Sequence, residues 1–358
     1  MSARLLAVRL DNAGDVVLTG PALRALRAGA DEVVVLAGPH GAEAARLLPG
    51  GDEVLVWRCP WIDGQPPRVD AAHVARLVAD LAQRGFDGAV IFTSFHQSPL
   101  PTALLLRLAG VPWIAAISVD YPGSLLDVRH NVDEDIPEAE RALSLCRAAG
   151  FQLPSGDDGR LRLRSPLPDV ADLVGSGRYV VLHPGTSVPA RAWPVEWYAE
   201  AARLLAHDGW QVVVTGSGAE TALCELATGG VGINLAGRTT MPRLANVISG
   251  AAAVVVGNTG PAHLAAAVGS PVVSLYAPTV PAVRWAPYRV PHVLLGDQDA
   301  ACRDTRATHC PVPGHPCLTS VSPHRVVAAV HELTEGSQLV GASPAGAALL
   351  PRPKDGIR

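Results

Sequence analysis

The stretch that decides the fold is Gly257-Asn258-Thr259-Gly260-Pro261-Ala262-His263, with the residues on either side of it. Before it, the apolar run 251–256 (Ala-Ala-Ala-Val-Val-Val) reads as a buried strand; after it, 264–268 (Leu-Ala-Ala-Ala-Val) reads as a helix. Pro261 stands where a first helical residue belongs, since its missing N–H is not needed there. Thr259 is placed to cap, and Gly260 lets a ligand approach the backbone. Free N–H groups and the positive end of the helix dipole would then point into one crevice, a place for phosphate.

The same strand–loop–helix alternation runs outward in both directions. Strand-like runs lie at 5–10, 32–36, 53–56, 88–92 and 114–118, then at 179–183, 211–215, 233–235, 253–257 and 271–275. Between them lie amphipathic runs such as 71–84, where Val74, Leu77, Val78 and Leu81 share one helical face. Helical runs also begin near Pro194, Glu220, Met241 and Pro261. This alternation predicts parallel sheets with helices on both faces. Around 155–177 the chain turns rich in Asp, Pro, Gly and Arg, which divides it into domains at 1–165 and 166–335. A Gly/Ala/Pro-rich tail over 336–358 reads as disordered. In doubly wound sheets ligands lie beyond the carboxyl ends of the strands, so the loops after strands carry the chemistry.

Bulk properties narrow the function. At 358 residues the chain can bury two cores, and 48% hydrophobic with 17% charged residues describes a soluble globular protein. A net charge of −4 gives no reason to expect nucleic acid as a partner. No signal peptide precedes the first strand, and the longest apolar stretch, 102–117, is broken by Arg107, Gly110 and Pro112. The expectation is a cytoplasmic protein with at most peripheral membrane contact.

Three further loops follow strands. In Leu10-Asp11-Asn12-Ala13-Gly14-Asp15, Gly14 permits a tight turn and Asp15 falls at a helix start. There it is either a cap or a carboxylate facing the cleft, able to accept a proton. No G-x-G-x-x-G occurs in this loop, which argues against a nicotinamide or flavin dehydrogenase. In His183-Pro184-Gly185-Thr186-Ser187-Val188-Pro189-Ala190-Arg191, two hydroxyls and an arginine suit anionic oxygens, unless they merely form turns and a solvated charge. In Thr215-Gly216-Ser217-Gly218-Ala219-Glu220, the acid either holds a ribose or simply complements the helix dipole.

Together these motifs resemble glycosyltransferase family nine, the ADP-heptose heptosyltransferases. The resemblance rests on G-D-V-V-L-T-G-P-A-L-R-A-L from Gly14, H-P-G-T-S…R-A-W-P from His183, Gly-Arg-Thr-Thr at 237–240, and N-T-G-P-A-H-L-A-A-A-V-G from Asn258. It covers roughly residues 4–333. It implies a GT-B architecture: two Rossmann-like, doubly wound parallel-sheet domains facing a cleft, the acceptor on the first and the nucleotide sugar on the second. By the same resemblance Asp15 matches the catalytic base. Thr186, Ser187 and Arg191 match the residues that hold the donor diphosphate, Glu220 the ribose contact, and Thr239 the nucleobase pocket. Thr259 and Gly260 match the phosphate loop, with His263 one turn beyond. Two positions depart from the family: Arg191 replaces a usual Lys, and Asn258 replaces a usual Asp near the donor sugar. The implied activity is inverting transfer of a sugar, heptose from ADP-heptose, to a hydroxyl of a lipopolysaccharide core or other glycan or glycolipid, with no cofactor and no metal. An epimerase of the same architecture and a non-catalytic sugar-nucleotide-binding protein are the alternatives.

Other signals carry less. Asp133-Glu134-Asp135 matches a metal-binding D-x-D pattern but precedes a helix, so it reads as an acidic helix start. Cys302, His309, Cys310, His315 and Cys317 cluster without a C-x-x-C pair, which suits a packed loop or a redox-labile pair better than zinc. His96, after a first-domain strand, is an acceptor-side candidate or a structural histidine.

Overall fold

A computed structural model describes residues 3–340 of the chain, with side chains described through 335. Strands β1 (Arg4–Arg9), β2 (Glu32–Ala37), β3 (Glu53–Val56), β4 (Gly88–Ile91), β5 (Ile114–Ile117) and β6 (Val128–His130) form a parallel sheet in the order β3-β2-β1-β4-β5-β6. Strands β7 (Tyr179–His183), β8 (Gln211–Val214), β9 (Ile233–Asn234), β10 (Ala253–Gly257), β11 (Val272–Leu275) and β12 (His292–Leu295) form a second, in the order β12-β11-β10-β7-β8-β9. Read from its β9 edge, the second sheet winds exactly like the first. Each reverses direction beside its first strand, so crevices open between β1 and β4 and between β7 and β10. This is the GT-B architecture.

The strands are Val-rich because both faces are covered. Leu6, Val8, Val34, Leu36, Ala89 and Ile91 point into one core, while Leu5, Ala7, Val33, Val35 and Val90 point into another. That second core continues without a break through Val181, Val213, Val254 and Val256 of the other sheet. A third core, including Val180, Leu182, Val212 and Val255, lies on the far face of the second sheet. The Ala71–Arg84 helix has the bounds its apolar spacing predicts. Asp70 accepts a hydrogen bond from the N–H of Ala72 at 2.9 Å, and Gly85 ends the helix in the left-handed region at φ 65°.

Two strands escape the sequence reading, β6 and β12, each the outermost of its sheet and only three and four residues long. Of the tail read as disordered, residues 336–340 lie in the last helix, Pro323–Val340, and 341–358 lie outside the described residues. Among the described residues no helix is long and apolar enough to cross a membrane.

Charged contacts bind the halves together. Arg284 Nε lies 2.6 Å from Asp135, and Arg289 Nη2 lies 2.7 Å from Glu140, which also accepts a hydrogen bond from the Tyr288 hydroxyl. The acidic segment read as a helix start is thus also an interdomain contact. Within the segment joining the sheets, Asp157 sits 2.6 Å from Arg24 Nε, both side chains buried. Hydrogen bonding to that guanidinium holds the Asp157 carboxyl down to about 2. A carboxyl depressed on folding stabilises the fold above its unfolded value and loses that contribution as pH falls toward the folded value. The melting-temperature gap between the wild type and Asp157→Asn is therefore expected to be full near neutrality and to close between about pH 4 and pH 2. A gap independent of pH in scanning calorimetry would contradict this.

Candidate functional site

All four loops at the two reversal points line one cleft of about 440 Å³. From β1 come Asp11, Asn12, Gly14 and Asp15, and from β4 Ser94, Phe95, His96 and Gln97. From β7 come Ser187, Val188 and Arg191, and from β10 Asn258, Thr259, Gly260 and His263. Topology has gathered residues distant in sequence, such as Gly14 and His263, 249 positions apart.

At the floor, two helix N-termini meet. The Ala13–Leu18 helix and the Gly260–Val268 helix approach so closely that a Cβ on Gly14 would lie 2.9 Å from His263 Cδ2 and 3.1 Å from Gly260 Cα. Gly14 is therefore needed not for the tight turn expected of it but as a helical residue without a side chain, pressed against the other domain.

Asp15 lies in the first turn of the Ala13–Leu18 helix, and no side chain caps that helix, so the cap reading gives way to an ion pair. Arg9, at the end of β1, lies 3.2 Å (Nη2) from Asp15 Oδ1 and 2.8 Å (Nε) from Asp11 Oδ2. Its Nη2 also donates to Ser94 Oγ at 3.0 Å, and Gln97 Nε2 donates to Asp11. Burial pushes the Asp11 carboxyl up against the opposing pull of Arg9, while Asp11 and Asp15 together raise the Arg9 value above normal despite its burial. Beneath them Glu138, 3% exposed and raised by burial, faces Arg141 at 3.7 Å and Arg284 at 3.5 Å. The sequence reading passed over Arg9, Asp11, Gln97 and Glu138. The available signal was an arginine, Arg9, at the buried carboxyl end of a parallel strand whose interior is apolar, where an unpaired charge is not tolerated.

On the opposite wall the polar groups are conspicuously unpaired. Arg191 ends a short turn of 3-10 helix, Pro189–Arg191, and donates through Nη1 to the Asn258 carbonyl at 3.4 Å; its buried Nε has no partner, and burial lowers its affinity for the proton. Thr259 occupies the N-cap position but makes no capping hydrogen bond, leaving its buried Oγ1 unpartnered, contrary to expectation. Pro261 is the second rather than the first helical residue. His263 is 3% exposed, its Nδ1 has no partner, and burial beside Arg191 pushes it down to about 4, so the ring is neutral at pH 7. Asn258 is buried with its Nδ2 donating to Tyr276 Oη at 3.2 Å.

Three predicted residues lie outside the lined cleft. Thr186 Oγ1 folds back to accept from the Val188 N–H at 3.1 Å, the turn-forming role. Glu220 accepts from the Ser217 N–H at 2.7 Å in a capping box, and its carboxylate occupies the space a Cβ on Gly185 would need, so it abuts the β7 loop. Thr239 is half-buried in the loop where Gly237, at φ 70°, packs on Gly218. His96 lines the first-domain side, its imidazole held below the ordinary value by desolvation and the nearby Arg306 charge. Among the described residues, the Cys302–Cys317 loop included, no group of three or more His, Cys, Asp or Glu is placed to hold an ion, and the six cysteines form no disulfide.

Arg9→Met leaves Asp11 buried without its counter-ion. Breaking such a pair costs about 3–5 kcal/mol, so urea unfolding should show a loss of that order, partly recovered in Arg9→Met/Asp11→Asn. A neutral single variant would mean the guanidinium does not hold these acids.

The chain's likenesses follow the same residues. The sequence profile of glycosyltransferase family 9 (heptosyltransferase) matches residues 74–314. A lipooligosaccharide heptosyltransferase 2 of Haemophilus influenzae is 32% identical over 117 residues, 30% of this chain and 34% of that protein. A lipopolysaccharide heptosyltransferase 1 of Pseudomonas aeruginosa is 30% identical over 253 residues, 64% of this chain and 70% of that one. The first curated relatives are thus matched over 34–43% of their own length. The solved structure of E. coli ADP-heptose lps heptosyltransferase II superposes with a TM-score of 0.69 at 22% identity, covering 94% of this chain and 99% of that one, a likeness of fold. With the profile matched over more than half its length, the chain belongs to glycosyltransferase family 9.

Proposed function

We propose that this chain transfers a sugar, heptose from ADP-heptose, to a hydroxyl of a glycan or glycolipid acceptor such as a lipopolysaccharide core, inverting the anomeric centre. The observation that carries the reading is the set of buried atoms without partners around the Gly260–Val268 helix N-terminus: Arg191 Nε, Thr259 Oγ1 and His263 Nδ1. Buried polar groups are ordinarily paired, and an unpaired set beside a cation and a helix N-terminus suits an anionic ligand. The family and the printed name of the E. coli neighbour support ADP-heptose as that ligand.

In this reading residues 166–335 bind the donor. Arg191, Ser187, Thr186 and the Gly260 N-terminus take the diphosphate, Glu220 the ribose and Thr239 the base edge. Neutral His263 offers a hydrogen bond without adding charge. Asn258, in place of the family's usual acid, faces the sugar and tunes which sugar is taken. Residues 1–165 bind the acceptor, with His96 on its wall. Asp15 accepts the hydroxyl proton as the oxygen attacks the anomeric carbon opposite the leaving group, and Arg9 fixes the carboxylate's direction. The bond to the diphosphate breaks as the new one forms, and the charge growing on the leaving oxygen is met by Arg191 and the helix N-terminus. These protein groups make a metal ion unnecessary for neutralising that charge.

Calorimetric titration with ADP is expected to show binding unaffected by EDTA. Arg191→Ala should weaken it by roughly 1.5–3 kcal/mol, the worth of a charge-assisted contact. Binding abolished by chelation, or indifferent to Arg191, would count against the donor site. Asp15→Asn keeps the shape and removes the base: ADP affinity should hold while transfer falls by about two to four orders of magnitude. Incubation of ADP-heptose without acceptor separates transfer from epimerisation, because only an epimerase converts the sugar nucleotide alone.

A further inference from the structure

We propose that Arg306 forms a second oxyanion site in the cleft, on the acceptor side, that takes a phosphate or carboxylate carried by the acceptor. This rests on the donor reading above. Arg306 belongs to the second domain yet faces the first: its guanidinium lies 5.6 Å from the centre of the Phe95 ring, which follows β4, and it lines the cleft beside His96.

The loop bearing it is built to aim it. Asp304 and Arg306 both occupy the left-handed region, at φ 57° and 56°, a conformation that side chains other than glycine adopt only where surrounding structure enforces it. The enforcement is visible: the Asp304 N–H donates to the Pro278 carbonyl at 2.9 Å and the Arg306 N–H to the Thr279 carbonyl at 2.8 Å. The Thr308 carbonyl accepts from the Ala190 N–H at 2.9 Å, next to Arg191.

Charge accounting separates Arg306 from its neighbours. Arg284 sits on the same Phe95 ring at 4.4 Å but is neutralised by Asp135 and Glu138. On the first-domain wall, Arg9 is consumed by Asp11 and Asp15, and Arg58 by Asp63, itself a lining residue, at 2.8 Å. Among the described residues no carboxylate lies within ion-pair distance of Arg306. After desolvation, its charge is the next influence lowering the proton affinity of His96. An anion on an acceptor resting against this wall finds no free cation there and meets Arg306 from across the cleft. A guanidinium offers such an oxyanion two parallel donors.

The test uses the full-length protein saturated with ADP and titrated with inorganic phosphate by calorimetry. Arg306→Asn removes the charge with a residue at ease in the left-handed region, and Arg306→Lys retains it. Wild type is expected to bind one phosphate beside ADP, more weakly as sodium chloride is added. Arg306→Asn should weaken that event at least tenfold and Arg306→Lys less, while ADP affinity stays within twofold in both. No phosphate binding by ADP-saturated wild type, or equal binding by Arg306→Asn, overturns the proposal. A tenfold loss of ADP affinity in Arg306→Asn also overturns it, assigning the side chain to the donor diphosphate. Wild type that binds no ADP overturns the donor reading itself, and this proposal with it.

Discussion

Two helix N-termini pressed together across a domain boundary govern everything else in this molecule. Each end carries a partial positive charge of about half a unit, so bringing them together through Gly14 and Gly260 is electrostatically costly unless negative charge is supplied there. The first helix supplies its own, Asp15. The second does not: its first turn holds no acid, and its neighbourhood adds a cation, Arg191. The floor of the cleft is thus half satisfied by the protein, and the unsatisfied half is where the proposed donor diphosphate would sit.

Behind that floor runs a chain of alternating charge. Arg9 joins Asp11 to Asp15; Glu138 faces Arg141 and Arg284; Arg284 reaches Asp135 from the second domain. Each carboxylate has a guanidinium beside it, which offsets the cost of burying Asp11 and Glu138. Because the last link belongs to the second domain, the orientation of Asp15 and the seating of one domain on the other are parts of one electrostatic arrangement.

Much of the fold was legible because parallel strands covered on both faces write themselves as apolar runs, and ten of the twelve strands fall in stretches read that way. The two that were missed, β6 and β12, are short edge strands whose pairing is set by the neighbouring strand. The candidate site was legible where chemistry and chain continuity coincide, as in the Asn258–His263 loop. It was illegible where partners are distant in sequence. Nothing local to Asp11 announces Gln97, 86 residues on, and nothing local to Arg306 announces Phe95. Local reasoning also assigned Gly14 to a turn, since the helix it must accommodate lies in the other half of the chain.

All three apolar cores enclose thiols: Cys59 in the first domain's own core, Cys224, Cys302 and Cys317 in the second's, and Cys146 in the core the two share. Burial pushes Cys59, Cys146, Cys224 and Cys317 up to about 12, so almost no thiolate exists at these sulfurs at neutral pH while a core is closed. Alkylation at each sulfur then proceeds only through opening of the layer that holds it. Each layer thus carries its own internal clock, and the labelling rates of Cys59, Cys146 and Cys224 distinguish fraying of either half from parting of the two.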